Sequence, residues 1–186
     1  AGSMSSTPCL PAPLSSPRLL LRPLRDDAVE AHYLCRLLNQ ACFLRHIGDR
    51  GVRSEGDVSA YLQQGPLASY REHGFGLMAI QRHSDGQWLG MAGLLRRPSL
   101  PGVDIGYALL AEHEGHGYAR EAATRLLRHA ADDLHLAQVY AIVAMDNTRS
   151  LALLDTLGFV ADGTTSLPGS AQVLRQLCWR AADAVS

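Results

Sequence analysis

A turn with two glycines, lying between a strand-like run and an amphipathic helix, constrains the fold of this chain more than any other feature. The run "VDIGYALL" (103–110) precedes "EHEGHG" (112–117), and from Ala119 onwards apolar residues recur at helical spacing. The next run, "QVYAIVAM" (138–145), is almost continuously apolar, which is typical of a strand covered on both faces. A strand, a helix and a second buried strand form a βαβ unit, so we expect the two strands to be parallel.

The strands before this unit are expected to pair in antiparallel fashion. The separators "HSDG" and "PSLPG" have the length and the turn residues that join antiparallel neighbours. The predicted strands here are 18–24, 74–82, 87–97 and 103–110, and a closing hairpin is predicted from 159–163 and 171–180. The predicted helices are 28–44 after a cap at Asp26 or Asp27, 54–64 with a continuation over 67–73, a stretch from 119, and 148–157 before Gly158.

The composition is that of one folded domain. With 186 residues, of which 47% are hydrophobic and 19% charged, the chain can bury one sizeable core. We predict a single domain over 18–182, preceded by a flexible tail over 1–17 that is rich in Pro and Ser. The letters "AGS" before Met4 are typical of an expression-tag remnant.

Charge and hydropathy argue against several classes of partner. The formal net charge of -1 provides no basic field for nucleic acid or anionic lipid. No apolar run approaches the ~18 residues of a membrane span, and the first residues lack the basic-then-apolar order of a signal peptide. We therefore expect a cytoplasmic protein with no nucleic acid and no membrane partner. The sequence does not indicate an oligomeric state.

The cysteines and histidines do not form a metal-binding pattern. Cys9, Cys35, Cys42 and Cys178 show no C-x-x-C spacing, which argues against a zinc site and against a disulfide framework. The letters "HEGH" (113–116) are one residue short of the H-E-x-x-H motif that places two histidines one helical turn apart. We expect no metal ion.

The glycine turn is suited to binding a phosphate group. Such a turn at a helix N-terminus presents unpaired backbone N–H groups at the positive end of the helix dipole, and no side chain holds a ligand away. A tight strand-to-helix connection would use the same glycines, so the turn alone does not decide between these interpretations. A dinucleotide fingerprint fails because Arg120 stands where a small residue is required, and no Gly-Lys-Ser/Thr sequence supports a Walker loop.

The order of the motifs resembles that of a known family. The letters "VDIGYALL", "EGHGYAREA", an apolar strand ending in "MDNTRS", and "LLDTLGF" together resemble the GCN5-related N-acetyltransferase (GNAT) superfamily, in particular its Rim-type branch of ribosomal-protein N-terminal acetyltransferases. "LLLRPLRDDA" and "WLGMAGL" extend the resemblance over residues 18–180. It implies an α/β (α+β) GNAT fold, with a mixed, mostly antiparallel central sheet, a parallel splayed strand pair and helices on both faces.

The resemblance implies an N-acetyltransferase that takes acetyl-CoA as its donor and needs no metal. The family's turn, Q/R-x-x-G-x-G/A, holds the pyrophosphate and falls here on Glu114, Gly117 and Ala119, although Glu114 departs from the usual Gln or Arg. The pantetheine arm would lie along the strand, facing the backbone amides from Ala108 to Leu110. The expected cofactor-binding residues are Ala108, Leu109, Leu110, Glu114, Gly115, His116, Gly117, Tyr118, Ala119 and Asn147.

Two residues are predicted to take part in the chemistry. Many members of the superfamily carry a tyrosine general acid in the helix after Asn147, a residue that can also cap this helix, but Leu154 stands at the tyrosine position here. The Rim-type resemblance points instead to Ser150 as the group that protonates the leaving thiolate, although a structural polar residue on a short helix would look the same. Asp104 is the candidate general base, because strand alternation places it on the same side as Gly106, near the expected amine. An exposed aspartate at a strand end is the structural alternative.

The acceptor is less constrained than the donor. The resemblance implies direct attack of a primary amine on the thioester in a ternary complex. A protein N-terminus, a small polyamine, an amino-sugar drug and an amino acid all stay open, and the Rim-type resemblance favours an N-terminal α-amine. The alternative function is a non-catalytic acyl-CoA-binding or sensing module of the same fold, indicated only by Glu114 and the missing tyrosine.

Overall fold

The fold is built on one mixed sheet of eight strands. The computed structural model describes residues 10–182, so the predicted tag remnant and the first nine residues of the predicted tail lie outside the described residues. The strands cross the sheet in the order β1-β2-β3-β4-β5-β6-β8-β7. Their bounds are β1 Leu14–Ser15, β2 Leu19–Pro23, β3 Leu77–Arg82, β4 Trp88–Arg96, β5 Val103–Leu109, β6 Gln138–Ala144, β7 Val160–Thr165 and β8 Leu174–Arg180.

Helices connect these strands and lie on both faces of the sheet. Short 3-10 turns at Glu55–Asp57 and Ala111–His113 precede α3 and the glycine turn. The helices are α1 Ala28–Leu38, α2 Ala41–His46, α3 Val58–Gln64, α4 Pro66–His73, α5 Tyr118–Asp132 and α6 Thr148–Thr156.

Local sequence explains where the first helices begin and break. Asp27 caps α1, because its side chain accepts the backbone N–H of Glu30. The helix predicted over 28–44 is divided after Leu38, and Gln40 leads into α2 with an extended backbone. Pro66 begins α4, since its missing N–H is no loss in the first turn of a helix.

The parallel strand pair predicted from the βαβ pattern is present and short. β5 pairs with β4 in antiparallel register along its whole length. Its parallel pairing with β6 is limited to one register position, Asp104 opposite Tyr140. Beyond this position the two strands separate, so β5 has an edge that β6 does not cover. The predicted fold class, a mixed and mostly antiparallel sheet with one splayed parallel pair and helices on both faces, is confirmed.

Two apolar clusters cover the two faces of the sheet. The first packs α5 and α6 against β5 and β6, with Leu126, Leu154 and Ile105 buried in it. The second packs α1 to α3 on the opposite face around Trp88. The prediction that β6 is covered on both faces is wrong, because its residues alternate between buried and half-buried, as in Val139 and Tyr140.

The sheet begins before the predicted domain boundary at residue 18. Leu14 is buried and pairs with Leu21 of β2, so this part of the predicted flexible tail is an ordered edge strand. Ser16 then donates a hydrogen bond of 2.6 Å to the carboxylate of Glu121 in α5, which anchors the segment. None of the helices within residues 10–182 is long and apolar enough to cross a membrane.

Candidate active site

The glycine turn lies between β5 and α5, as the sequence predicts. Gly115 and Gly117 have φ values of 85° and 78°, in the left-handed region that side chains rarely adopt. Gly117 is the N-cap of α5 and has no side chain to satisfy the first helical amides. The N–H groups of Tyr118 and Ala119 therefore open toward the turn. The turn has both the bare backbone and the helix dipole that suit a phosphate group.

Arg18 flanks the turn on one side. Its Nη1 donates to the backbone carbonyl of His116 at 2.9 Å, and its Nε pairs with Glu121 at 2.7 Å. Its Nη2 lies 3.4 Å from the point that a β-carbon on Gly117 would occupy. The guanidinium also lies over the ring of Tyr118, at 4.7 Å from the centroid. These contacts hold a positive charge next to the first turn of α5.

Arg149 of α6 flanks the turn on the other side. Its Nη1 donates to the carboxylate of Glu114 at 2.8 Å. Its Nη2 lies 4.0 Å from the point that a β-carbon on Gly115 would occupy. The negative charge of Glu114, the residue that departs from the family pattern, is therefore paired with a cation from a neighbouring helix.

The backbone of β5 does not offer all the amides that the sequence predicts. The N–H of Leu110 donates to the carbonyl of Leu89 in β4 at 2.9 Å, so the prediction that this amide faces the cofactor is wrong. The carbonyl of Ala108 is likewise directed at Gly90 of β4. Because backbone groups alternate along a strand, only Leu109 of the three predicted residues directs its backbone groups to the edge that β6 leaves uncovered.

Gln40 binds the end of this uncovered edge. Its Nε2 donates to the carbonyl of Leu109 at 3.1 Å, and its Oε1 accepts the N–H of Ala111 at 2.6 Å. The side-chain amide therefore imitates a neighbouring strand at the end of β5. This contact fixes the start of α2 beside the predicted path of the pantetheine arm.

Asn147 caps α6, as the structural interpretation of this residue requires. Its Oδ1 accepts the backbone N–H of Ser150 at 3.2 Å. The cap uses the oxygen and leaves the Nδ2 group to donate elsewhere, so a role toward a cofactor is compatible with it. The cap also fixes the position of Ser150 at the start of α6, next to the separated strands.

The side chain of Ser150 meets that of Tyr107, a residue that the sequence does not mark as functional. The two hydroxyl oxygens lie 2.6 Å apart, and both side chains are half-buried. Burial raises the pKa of Tyr107 to about 12, an effect that the hydrogen bond to Ser150 only partly offsets. The phenol therefore stays protonated at neutral pH and is able to donate to the serine oxygen.

Asp104 is buried, which contradicts the alternative of an exposed strand end. Its exposed fraction is 0%, and neither carboxylate oxygen is hydrogen-bonded by a described residue. Arg97 Nη2 lies 3.3 Å from Oδ2 without the alignment of a hydrogen bond. Burial raises the pKa of Asp104 to about 6, and the positive charge of Arg97 opposes this shift. A carboxyl with this pKa is suited to accept a proton near neutral pH.

The two predicted catalytic residues lie on opposite faces of the sheet. Tyr107, and with it Ser150, is on the face of β5 that packs against α5 and α6. Asp104 is on the other face by strand alternation, together with Ala108, which packs against the cluster of α1 to α3. The separated strands β5 and β6 lie between the two faces. The hydroxyl pair lies beside the separated part of the strands, whereas Asp104 lies at the one position where they still pair, on the other face.

No group of three or more His, Cys, Asp or Glu side chains among residues 10–182 is placed to hold a metal ion. His113 is held near Glu112 and Arg82, and its pKa is lowered chiefly by burial. His116 stacks in a tilted arrangement on Tyr118, with ring centroids 5.6 Å apart. The two histidines therefore lie in different surroundings, His113 beside charged groups and His116 against an aromatic ring.

Comparison with known proteins decides the family. A family model for the acetyltransferase (GNAT) domain matches residues 18–160. The chain belongs to the GNAT acetyltransferase family. The predicted superfamily, the N-acetyltransferase class and acetyl-CoA as the donor are thereby confirmed at the level of the family.

Individual relatives agree with this family. YoaA of Bacillus subtilis (strain 168), an uncharacterized N-acetyltransferase, is 26% identical over 151 residues, which are 81% of this chain and 84% of YoaA. The structure of an acetyltransferase from Agrobacterium tumefaciens str. C58 superposes with a TM-score of 0.75 at 24% identity, covering 91% and 95% of the two chains. RimL, a ribosomal L7/L12 α-N-protein acetyltransferase solved with CoA, gives 0.74 at 19% identity, covering 91% and 98%.

Three residues can be recognised as part of the site only from the three-dimensional structure. Tyr107 is an unremarkable strand aromatic in the sequence, and its hydroxyl gains meaning only from the contact with Ser150. The sequence does not distinguish Arg149 from the other arginines, and its role is indicated only by its contact with Glu114. Gln40 lies inside a stretch predicted as one helix, and no local sequence signal marks the break there, because the break depends on the contact of Gln40 with the end of β5.

Proposed function

We propose that this GNAT protein transfers the acetyl group of acetyl-CoA to an N-terminal α-amine of a protein or peptide. The observation behind the proposal is that β5 pairs with β6 only at Asp104 and then leads, through Ala111–His113, into the bare glycine turn at α5. An extended molecule with a diphosphate at one end would bind to both features at once. Acetyl-CoA has this shape and charge.

The donor site combines a strand edge with the glycine turn. The uncovered backbone groups of Tyr107 and the N–H of Leu109 would pair with the pantetheine arm as another strand does, whereas the Leu109 carbonyl is bound by Gln40. The amides from Gly115 to Ala119, including those of His116 and Tyr118, would bind the diphosphate, where a side chain on either glycine would block the approach. The Nδ2 of Asn147 is available to donate to the arm.

Ser150 is proposed to protonate the thiolate as it leaves. When Tyr107 donates its hydrogen bond to Ser150 Oγ, the serine proton is free to point toward the separated strands. Accepting this hydrogen bond also makes the serine hydroxyl a better proton donor. Only modest help is needed, because a thiol has an unperturbed pKa near ~8.5. A hydroxyl pair therefore replaces the tyrosine that many GNAT members carry on this helix.

Asp104 is proposed to accept the proton of the attacking amine through a water relay, because its carboxylate is fully buried. The amine attacks the thioester carbonyl in the ternary complex, a C–N bond forms, the C–S bond breaks, and the amine proton passes to the carboxylate. A carboxyl with a pKa of about 6 is ionised at neutral pH and still basic enough to assist. Its location on the face opposite Ser150 keeps proton removal and proton delivery apart.

The proposed acceptor class agrees with a base of moderate strength. An α-amine has an unperturbed pKa near ~7.7–8.0 and is partly neutral at pH 7, whereas a lysine amine near ~10.4 is almost fully charged. A buried carboxyl of moderate basicity suits the first better than the second. The α-N-protein acetyltransferase activity named for RimL, which shares this fold, supports the same choice.

The two indications of a non-catalytic CoA-binding module have structural explanations. Glu114, which would repel a diphosphate, is neutralised by Arg149. The absent tyrosine on α6 is matched by the Tyr107 hydroxyl, which reaches the same region from β5. We therefore favour the enzyme over the binding module.

We also propose a cytoplasmic location. Cys35, Cys42 and Cys178 are all free thiols, a state that reducing compartments preserve. Cell fractionation tests this, and recovery of the protein in an oxidising compartment would contradict it.

A thiol-release assay with acetyl-CoA tests the proposed function. The acceptor panel would contain a short peptide with a free N-terminus, the same peptide with a blocked N-terminus, spermidine, an aminoglycoside and free amino acids. We expect CoA release above the acetyl-CoA hydrolysis background with the free peptide. CoA binding without release in any arm would support the binding module instead.

A further inference from the structure

We propose that Arg149 is a diphosphate-binding residue that acts from α6, with Glu114 as the residue that orients it. This inference rests on the proposed use of the glycine turn for CoA. The family pattern has Gln or Arg at the position of Glu114. In this chain the positive charge comes instead from Arg149 on α6. It is the pair, and not the carboxylate alone, that faces the ligand.

The position of Arg149 is not explained by the stability of α6. Arg149 lies in the first turn of the helix, where a positive charge opposes the helix dipole. Its side chain is 69% exposed, and an exposed ion pair contributes only about 0–1 kcal/mol to folding. The helix dipole therefore disfavours Arg149 at this position, and its ion pair with Glu114 adds little to the stability of the fold.

The geometry directs one half of the guanidinium at the turn. Nη1 is bonded to Glu114, whereas Nη2 lies 4.0 Å from the point that a β-carbon on Gly115 would occupy. A planar guanidinium with one nitrogen fixed presents the other in a defined direction, which suits the oxygen atoms of a phosphate. Glu114 therefore aims Arg149 at the space above the glycine backbone.

The chain order of the strands also places the pair of Glu114 and Arg149 beside the opening between β5 and β6. Glu114 follows β5, and Arg149 follows β6, so the pair bridges the two strands on the side of the turn where they separate. A ligand that entered between the strands would pass this bridge. Its two phosphate charges would interact with Nη2 from one side and with the amides of α5 from the other.

The test compares Arg149→Gln with a matched control by calorimetry, using CoA and 3′-dephospho-CoA as ligands. Arg53 provides the control, because its side chain is 61% exposed and pairs with Asp49, four residues before it, in a segment that contributes nothing to the proposed site. We expect Arg149→Gln to weaken binding of both ligands by about tenfold, as for loss of one charge-assisted hydrogen bond. Arg53→Gln should change either affinity by less than about twofold.

The outcomes separate this inference from the proposed function. Unchanged affinity of Arg149→Gln for CoA, with tight binding by the wild-type protein, would overturn the role of Arg149 and leave the function intact. A loss seen with CoA but not with 3′-dephospho-CoA would overturn the assignment to the diphosphate, because only the 3′-phosphate differs between the ligands. A wild-type protein that binds neither ligand would overturn the proposed function and this inference with it.

Discussion

The hydroxyl oxygens of Tyr107 and Ser150 lie 2.6 Å apart and join β5 to α6 on one face of the sheet, next to the place where β5 and β6 separate. Each residue comes from an element that also borders the glycine turn. The raised pKa of Tyr107, about 12, keeps a proton in this contact at neutral pH. The contact therefore places a protonated phenol against the serine that is proposed to protonate the leaving thiolate.

Removing the serine hydroxyl should affect turnover more than binding. We expect Ser150→Ala to lower kcat by roughly tenfold and to leave CoA affinity within about threefold, since the hydroxyl acts on charge that develops only as the thiolate leaves. Thr156→Ala is the matched control, because it removes a hydroxyl from the same helix that bonds only the carbonyl of Leu153. Steady-state kinetics and calorimetry measure the two effects, and equal turnover in the Ser150 variant would return this residue to a structural role.

The tyrosine should act through the serine and not independently. Tyr107→Phe removes only the phenol oxygen, and we expect kcat to fall by about three- to tenfold with KM for acetyl-CoA unchanged. The double variant should then be no slower than Ser150→Ala alone, because the two hydroxyls form one unit. Additive losses in this double-mutant cycle would show that Tyr107 has a separate role or a general packing effect.

A side chain on the turn should weaken CoA binding. Gly117→Val places a branched side chain where the diphosphate would approach, and at a φ of 78° that such residues rarely adopt, so we expect affinity to fall at least about tenfold. Gly74→Val is the matched control, because Gly74 has a φ of 77° at the end of α4 and carries the same backbone strain. Calorimetry on variants that remain folded by circular dichroism gives the comparison; equal affinities in both variants would contradict the site assignment.

The buried carboxyl of Asp104 should make stability depend on pH in a particular direction. Its pKa rises from 3.8 in the unfolded chain to about 6 in the folded protein, so the folded state binds more protons between these values. The free energy of unfolding should therefore fall by roughly 2 to 3 kcal/mol as the pH rises from 4 to 7, relative to Asp104→Asn. Urea titrations of both proteins measure this difference. A difference that is constant with pH would show that Asp104 is ionised as easily in the folded protein as in the unfolded chain.

The same variant tests the role of Asp104 in the reaction. With an α-amine peptide, kcat/KM should rise with pH and level off near the pKa of the amine, about 8. Asp104→Asn should lower the plateau by less than about a hundredfold, the low end of what loss of a general base costs. No change at any pH would mean that the amine proton leaves by another route.

Much of the fold could be predicted from the sequence because its signals are local. The turn at Gly115 and Gly117, the apolar spacing of α5 and the apolar run of β6 each depend on neighbouring residues, and their order identifies the parallel pair. The break at Gln40 could not be predicted, because it depends on a contact with the end of β5. The pairing of Leu14 with β2 was missed since a Pro- and Ser-rich segment looks flexible when its partner strand is not considered.

The candidate site was predictable only where one short segment builds it. The glycines and the N-cap at Asn147 are such features, and both are found where the sequence placed them. The contacts Tyr107 to Ser150 and Glu114 to Arg149 join residues 43 and 35 positions apart, which no local pattern encodes. The burial of Asp104 is likewise a result of packing on the sheet, and it excludes the exposed strand end that was the alternative to the candidate base.

The position of the transferred acetyl group shows whether this protein acetylates an N-terminal α-amine. One peptide with a free N-terminus and one internal lysine would be incubated with the protein and acetyl-CoA, and tandem mass spectrometry would locate the acetyl group. We predict acetylation of the α-amine with little on the lysine, at a rate that falls in Ser150→Ala, because a weak base favours the amine that is already partly neutral. Acetylation of the lysine alone would contradict the proposed acceptor, and no acetylation of this peptide or of any amine in the panel would contradict the account of this site as an active acetyltransferase.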